Sequence, residues 1–168
     1  ILTGRDREKR ETAVIVELKQ WSTVERTEKD AIVITYVGKR NREMLHPSYQ
    51  AWSYAALLRD FSETVKQEDI RLLPCAYLHN CESSDTINDP FYGDHTKQAP
   101  AFLKGDTKKL RKFIRQFVRY GDSGDIVYRI DHGKIKPSKN LADHLLSLLQ
   151  GNQEFVMIDD QKVVYETS

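Results

Sequence analysis

Thr12-Ala-Val-Ile-Val-Glu-Leu-Lys-Gln-Trp21 is the stretch on which the reading of this chain turns. Val14, Ile15 and Val16 are β-branched and the apolar run is short, which predicts a strand. Side chains alternate across a strand, so Glu17 and Lys19 share one face, at the rim of a central sheet. A buried charge is costly unless it is paired or bound to a metal. Two readings are open at this point: an ion pair where a strand end meets solvent, and part of a working site. Glu-X-Lys alone is a short and common pattern, so its neighbours along the chain must weigh in.

The bulk properties narrow the class. With 168 residues the chain has the length of one domain with a sizeable core. Apolar residues at 39% and charged residues at 30% exclude a membrane-embedded or a disordered protein. No apolar run approaches the roughly 20 residues needed to span a bilayer, so no membrane partner is expected. The opening Ile-Leu-Thr-Gly-Arg-Asp lacks a basic segment followed by an apolar one, and a cytoplasmic location is the expectation. Cys75 and Cys81 are then expected as free thiols. A net charge of +1 gives no global field that announces nucleic acid; a basic surface has to be local. The chain opens without Met and inside a strand pattern, and reads as a piece of something longer.

Outward from the opening stretch, Ile1–Gly4 reads as a strand end, and Arg5 to Glu11 as a charged, solvated turn that closes a hairpin. Asp6, on that turn, lies at the far end of the hairpin from Glu17 and is a poor catalytic candidate. A polar stretch runs from Trp21 to Lys29, followed by a third strand over Ala31–Val37 and a basic-polar turn after Gly38. Pro47 starts a helix to about Val65, with Ala51, Tyr54, Ala55, Leu58 and Val65 as its apolar stripe. Gln50 stands one turn before Tyr54 on the same side. Leu72–Leu78 is a strand covered on both faces, in which Pro74 argues for an edge or a strand start.

Residues 80–100 read as a long loop containing Tyr92 and His95, and Ala101–Leu103 as a short strand. Asp106 or Thr107 caps a helix to about Tyr120, stopped by Gly121. Leu110, Phe113, Ile114 and Phe117 form its apolar stripe. Its other face carries Lys108, Lys109, Arg111, Lys112, Arg115 and Arg119. Such a face is often merely solvated, but six cations with no acid inside the helix make it the best candidate surface for nucleic-acid phosphates. Ser138 caps a third helix with Leu141, Leu145, Leu148 and Leu149 inward and Gly151 at its end, and His144 on it reads as a surface or satisfied histidine and not as a ligand. Phe155–Ile158 is a strand, and residues 159–166 turn a hairpin or start a helix.

Phosphate loops of the Gly-X-X-X-X-Gly-Lys-Ser/Thr type, Gly-X-Gly-X-X-Gly, Gly-X-Ser-X-Gly and His-Glu-X-X-His are all absent, and the five histidines are not at metal-ligand spacings. What remains is an ordered set: a hairpin, a strand ending Glu17-Leu-Lys-Gln20, a third strand, a helix with Gln50-X-X-X-Tyr54, and a further strand. This set resembles the core of the PD-(D/E)XK nucleases and the branch of that superfamily joined to RecB-like helicases. The resemblance implies an α/β fold with a central mixed sheet flanked by helices, restriction-endonuclease-like and lacking its N-terminal part. It implies a nuclease, with Glu17 and the Leu18 carbonyl as ligands of Mg²⁺ or Mn²⁺, and Lys19 beside the attacking water. Gln20, Gln50 and Tyr54 would line the site. A hard cation that polarises a phosphate, with a nearby ammonium, is what phosphodiester cleavage requires. The family's other ligand, an Asp on the preceding strand, has no counterpart in Ile1–Gly4 and is expected upstream of Ile1.

Val16-Glu-Leu-Lys-Gln-Trp21, His46-Pro-Ser-Tyr-Gln50, Ala76-Tyr-Leu-His-Asn80, Phe102-Leu-Lys-Gly-Asp106, Pro137-Ser-Lys and Phe155-Val-Met-Ile-Asp-Asp-Gln161 carry a second resemblance. They are similar to the N-terminal region of bacterial DNA/RNA helicase-type ATPases of unknown function, related to Schlafen helicase domains. It implies a nuclease-like domain over 1–153, and over 154–168 a linker and the start of a helicase/ATPase domain. Gln161 would then be an adenine-reading residue, ATP would bind only in that following domain, and residues 160–168 would be helical. DNA or RNA would be the partner. A non-catalytic nucleic-acid clamp or motor-docking module with the same fold is the alternative.

Overall fold

The computed structural model describes residues 1–83 and 85–137, together with Ala142 and Leu146. Apart from those two, the expected third helix, the strand at Phe155–Ile158, Gln161 and the domain boundary near 153 lie outside the described residues.

The chain is α/β, built on a four-stranded mixed sheet. Strands β1 (Leu2–Arg5) and β2 (Glu11–Lys19) form the expected hairpin, with Leu2 opposite Val14 and Arg5 opposite Glu11. β2 then runs parallel to β6 (Arg71–Leu78), and β6 parallel to β7 (Ala101–Leu103). A separate three-stranded antiparallel sheet holds β3 (Glu25–Arg26), β4 (Ile32–Val37) and β5 (Arg40–Leu45). The third strand of the sequence reading therefore does not extend the sheet that carries Glu17. The basic-polar turn after Gly38 is in fact a two-residue hairpin at Gly38 and Lys39, both at positive φ (61° and 67°). β5 escapes a pattern reading because it carries no alternating apolar set and is mostly exposed.

Helices cover both faces of the mixed sheet. Alternation along β2 sends Val14 and Val16 to one face and Ala13, Ile15, Glu17 and Lys19 to the other. On the first face Val14, Cys75 and Phe102 meet Leu110, Phe113, Ile114 and Phe117 of α4 (Thr107–Phe117). This is the predicted stripe; half-buried aromatic side chains of this kind contribute on the order of 1–2 kcal/mol each. On the second face lie α1 (Pro47–Phe61), which packs on β2 and β6, and α5 (Ile126–His132), whose Ile126 joins Ala13 and Ile70. Both cysteines are buried free thiols, and burial pushes Cys75 up to about 12.

Several local expectations are corrected. The long helix breaks at Ser62, which is extended (ψ 115°) because it bridges to Ile135, and its hydroxyl caps α2 (Glu63–Gln67) at Val65 N. The loop after β6 contains a 3-10 turn at Pro90–Tyr92 and α3 (Gly93–Gln98). Within it Tyr92 is fully buried, donating to the Ile32 carbonyl at 2.7 Å and so tying that segment to the second sheet. α4 stops at Phe117, not near Tyr120, because Arg119 N and Tyr120 N turn back to the Arg5 carbonyl and Tyr120 bridges to β1. Pro74 sits within a central strand, opposite Ile15. β7 begins only opposite Ala76, so at Pro74 that side of β6 has no neighbour and the missing N–H costs nothing.

The charged turn also differs from its reading. Asp6 is buried, not solvated: Oδ1 accepts from Glu8 N and Arg10 N at 3.0 Å each, and Oδ2 accepts from Arg10 Nε at 2.9 Å and Arg71 Nη1 at 3.0 Å. Burial pushes its carboxyl up, but the Arg10 backbone and guanidinium and the Arg71 guanidinium outweigh that and hold it below the usual range.

Candidate functional site

The end of β2 delivers Glu17 and Lys19 to the sheet face covered by α1. The Lys19 backbone is fixed there by His79 N, which donates to the Lys19 carbonyl at 3.2 Å. Lys19 Nζ lies 2.8 Å from Glu17 Oε1, and the two side chains are 12% and 17% exposed. The strand-end ion pair of the simplest reading is therefore present. It is largely withdrawn from water, and it continues into a chain of contacts.

Lys19 Nζ donates to Gln50 Oε1 at 2.7 Å, and Gln50 Nε2 donates to Tyr54 Oη at 2.7 Å. The polarity of this relay follows from its first member. An ammonium only donates, so the Gln50 carbonyl oxygen must face it and the amide nitrogen must face Tyr54. The Tyr54 oxygen is then an acceptor toward Gln50, and its own proton points elsewhere. Tyr54 is exposed instead of lying on the buried stripe with Ala51 and Ala55, so that proton is offered to solvent or a ligand. Lys19 Nζ also lies 4.9 Å from the Trp21 ring centroid, with the indole forming an apolar wall.

Gln50 is placed by buried His46, the first residue of the His46-Pro-Ser-Tyr-Gln50 stretch, whose role only the fold reveals. His46 caps α1: its Nδ1 accepts from Ser48 N at 3.2 Å and its carbonyl accepts from Gln50 N at 3.0 Å. Nε2 is then the protonated nitrogen and donates to the Ile87 carbonyl at 3.1 Å. The ring stacks on Tyr92 at 4.7 Å. Burial pulls His46 down to about 4, with nearby His95 adding to the effect, so the cap is neutral at pH 7.

Gln20 does not join the group. It is exposed, and its backbone carbonyl accepts from Asn80 Nδ2 at 3.4 Å. The Leu18 carbonyl points away from β6 by strand alternation, and the ladder to β1 ends at Val14, so it lies beyond the paired part of the sheet. Glu17 is the one carboxylate of this group. Among the described residues no three His, Cys, Asp or Glu side chains come together as metal ligands. One carboxylate and one carbonyl are too few protein ligands for a hard divalent cation, so the residues present do not by themselves fit Mg²⁺ or Mn²⁺.

The cationic row lies on the opposite sheet face. Lys108, Lys109, Arg111, Lys112 and Arg115 are exposed on α4, while Arg119 lies past its end on the segment bridged to β1. Lys109 pairs with Asp106 at 2.7 Å, an acid just outside the helix. The other five make no ion pair among the described residues. No helix of the described residues is long and apolar enough to cross a membrane. The chain matches no family model, no curated protein and no solved structure.

Proposed function

We propose that this chain is the nuclease-like part of a nucleic-acid-processing helicase/ATPase, of the restriction-endonuclease-like PD-(D/E)XK type, with Glu17, Lys19, Gln50 and Tyr54 as its working group. The observation that carries the reading is the unbroken relay Glu17–Lys19–Gln50–Tyr54. These are four residues from two elements, singled out by motif, and an accidental strand-end pair gives no reason for the other two to meet it.

Each side chain has a task that needs no further assumption about shape. Lys19 offers positive charge where a scissile phosphate gains negative charge, and Glu17 and Gln50 hold that ammonium in place. Tyr54, with its oxygen already accepting from Gln50, has its hydroxyl proton to donate to a phosphate oxygen. A bound Mg²⁺ or Mn²⁺ would supply polarisation of the phosphate and a more acidic water. Glu17 alone cannot hold it, so residues 1–168 are expected to be inactive as they stand. Were the β1–β2 register to extend past Leu2 and Val14, a residue two places before Ile1 would lie directly opposite Glu17 on the same face. An Asp there would complete a two-carboxylate site.

The test uses a longer chain that carries an Asp at that place. It should cleave DNA or RNA with Mg²⁺ or Mn²⁺, and Glu17→Ala should lower the rate by about 100-fold or more. Cleavage that survives Glu17→Ala unchanged rules the nuclease reading out.

The alternative, a non-catalytic nucleic-acid clamp or motor-docking module, is favoured by the α4 row, whose Lys108, Arg111, Lys112 and Arg115 carry no counter-charge among the described residues. Binding should then fall steeply with salt, and the triple reversal of Arg111, Lys112 and Arg115 to Glu should flatten that dependence. ATP binding, and Gln161 with it, belongs to the domain proposed to follow.

A further inference from the structure

At the end of the sheet away from Glu17 and Lys19, a cavity of about 610 Å³ opens between the β1–β2 turn, the start of β6 and the end of α4. Arg7, Arg10, Arg71, Arg115 and Arg119 line it, against Asp6 and Glu8. Only two of these arginines are spoken for. Asp6, buried beneath the turn, holds Arg10 Nε and Arg71 Nη1 at 2.9 and 3.0 Å, and Glu8 accepts from Arg10 Nη2 at 3.2 Å. Arg7, Arg115 and Arg119 have no acidic partner among the described residues. One buried carboxylate thus orients two guanidinium groups while three more face the same space, and the lining keeps a surplus of positive charge. A guanidinium fork matches the geometry of phosphate oxygens, and three uncommitted forks suit a dianion better than the single charge of a diester. Lys9 Nζ, 3.1 Å from the ring centroid of the lining Tyr120, brings a further positive charge to the edge of the cavity.

Arg115 belongs both to this cavity and to the exposed row of α4. Lys108, Arg111 or Lys112, and Arg115 recur at three- and four-residue intervals, so the row runs along one side of the helix and ends in the cavity. Charge laid out as a track that closes in a pocket suits a strand with an end, where a free nucleotide would need only the pocket. We propose that this cavity binds the terminal phosphate of a nucleic-acid strand whose backbone lies along α4. The proposal rests on the nucleic-acid reading of α4 and adds to it a site, whose uncommitted forks are Arg7, Arg115 and Arg119, with a preference for phosphorylated ends.

The test measures binding of the whole chain to a labelled single-stranded oligonucleotide carrying a 5′-phosphate, a 3′-phosphate or hydroxyls at both ends. One of the phosphorylated oligonucleotides should bind about tenfold tighter than the hydroxyl form, as expected for a charge-assisted bidentate contact. Arg7→Gln, exposed and free of ion pairs, should erase most of that ratio and leave the hydroxyl form little changed, while Arg119→Gln, which also belongs to the cationic row, should erase most of it and weaken all three oligonucleotides. Lys108→Glu with Arg111→Glu should weaken all three oligonucleotides together. Equal affinity for the three, or an end preference that survives both Gln variants, overturns the terminal-phosphate site while leaving the α4 clamp standing. Absence of any oligonucleotide binding removes both. Inorganic phosphate and ATP serve as competitors: loss of the end preference at millimolar phosphate agrees with the site, and saturable ATP binding without oligonucleotide binding overturns it in favour of a nucleotide pocket.

Discussion

Lys19 Nζ and Gln50 Oε1 are 2.7 Å apart, and this contact joins the end of β2 to the first turn of α1. The two residues are distant in the chain, and the bond is made with an ammonium already paired to Glu17. It is a positioning contact: Gln50 fixes where the charge of Lys19 sits and passes the constraint on to Tyr54.

Tyr54→Phe removes the last oxygen of this relay at an exposed position. It should cost no more than about 1 kcal/mol of stability, measured by urea unfolding. In the longer, metal-competent chain the same change should slow cleavage by roughly tenfold, because it takes away a positioned donor. A rate equal to that of the unchanged protein would assign Tyr54 to the surface and nothing more.

The histidine cap gives a pH dependence. In the unfolded chain His46 titrates near the ordinary value of 6.5, and in the folded chain near 4. Between those values the unfolded state binds the extra proton, so stability is full above pH 6.5 and falls as pH drops toward 4. The loss attributable to this residue is up to about 3 kcal/mol. Unfolding curves at pH 7 and pH 5 should differ in this direction. His46→Asn should lower stability at pH 7 and flatten the slope between the two.

Gly4 is held by crowding, not by its backbone angles. A Cβ there would meet the Tyr120 carbonyl and lie 2.7 Å from Val118 Cγ1, with backbone among the atoms in the way. Gly4→Ala should therefore destabilise by about 1–3 kcal/mol and loosen the segment after α4 from β1. Hydrogen exchange at Arg119 and Tyr120, whose amides donate to the Arg5 carbonyl, reads that loosening directly. Unchanged exchange in the variant would mean that β1 and this segment are not coupled.

Phe113 sits between Phe102 and Phe117, at ring-centroid distances of 5.6 and 5.0 Å, and fastens the cationic helix to the sheet. Phe113→Ala should cost about 2–4 kcal/mol. If the α4 row binds nucleic acid only as an ordered track, affinity should drop with it at temperatures where the rest of the chain stays folded, as followed by circular dichroism and binding together.

The elements with strong local patterns were legible in the chain itself. The β-branched run before Glu17 gives β2, Pro47 the start of α1, and the Leu110–Phe117 stripe the buried side of α4. Spacing put Glu17 beside Lys19 and Gln50 beside Tyr54, because residues two apart on a strand and four apart on a helix share a side, and it was the resemblance that joined the two pairs into one group. Distance along the chain hid the rest. That Lys19 reaches Gln50 depends on α1 packing across β2, and that Asp6 is buried depends on Arg71 arriving from another strand. Neither a charged turn nor an isolated arginine reports such a partner. The separation of β3, β4 and β5 into their own sheet is likewise tertiary, since pairing between strands is set by what each face must bury and not by the residues of one strand. The sequence determines which side chains can work together; packing of the helices and sheets decides which of them meet.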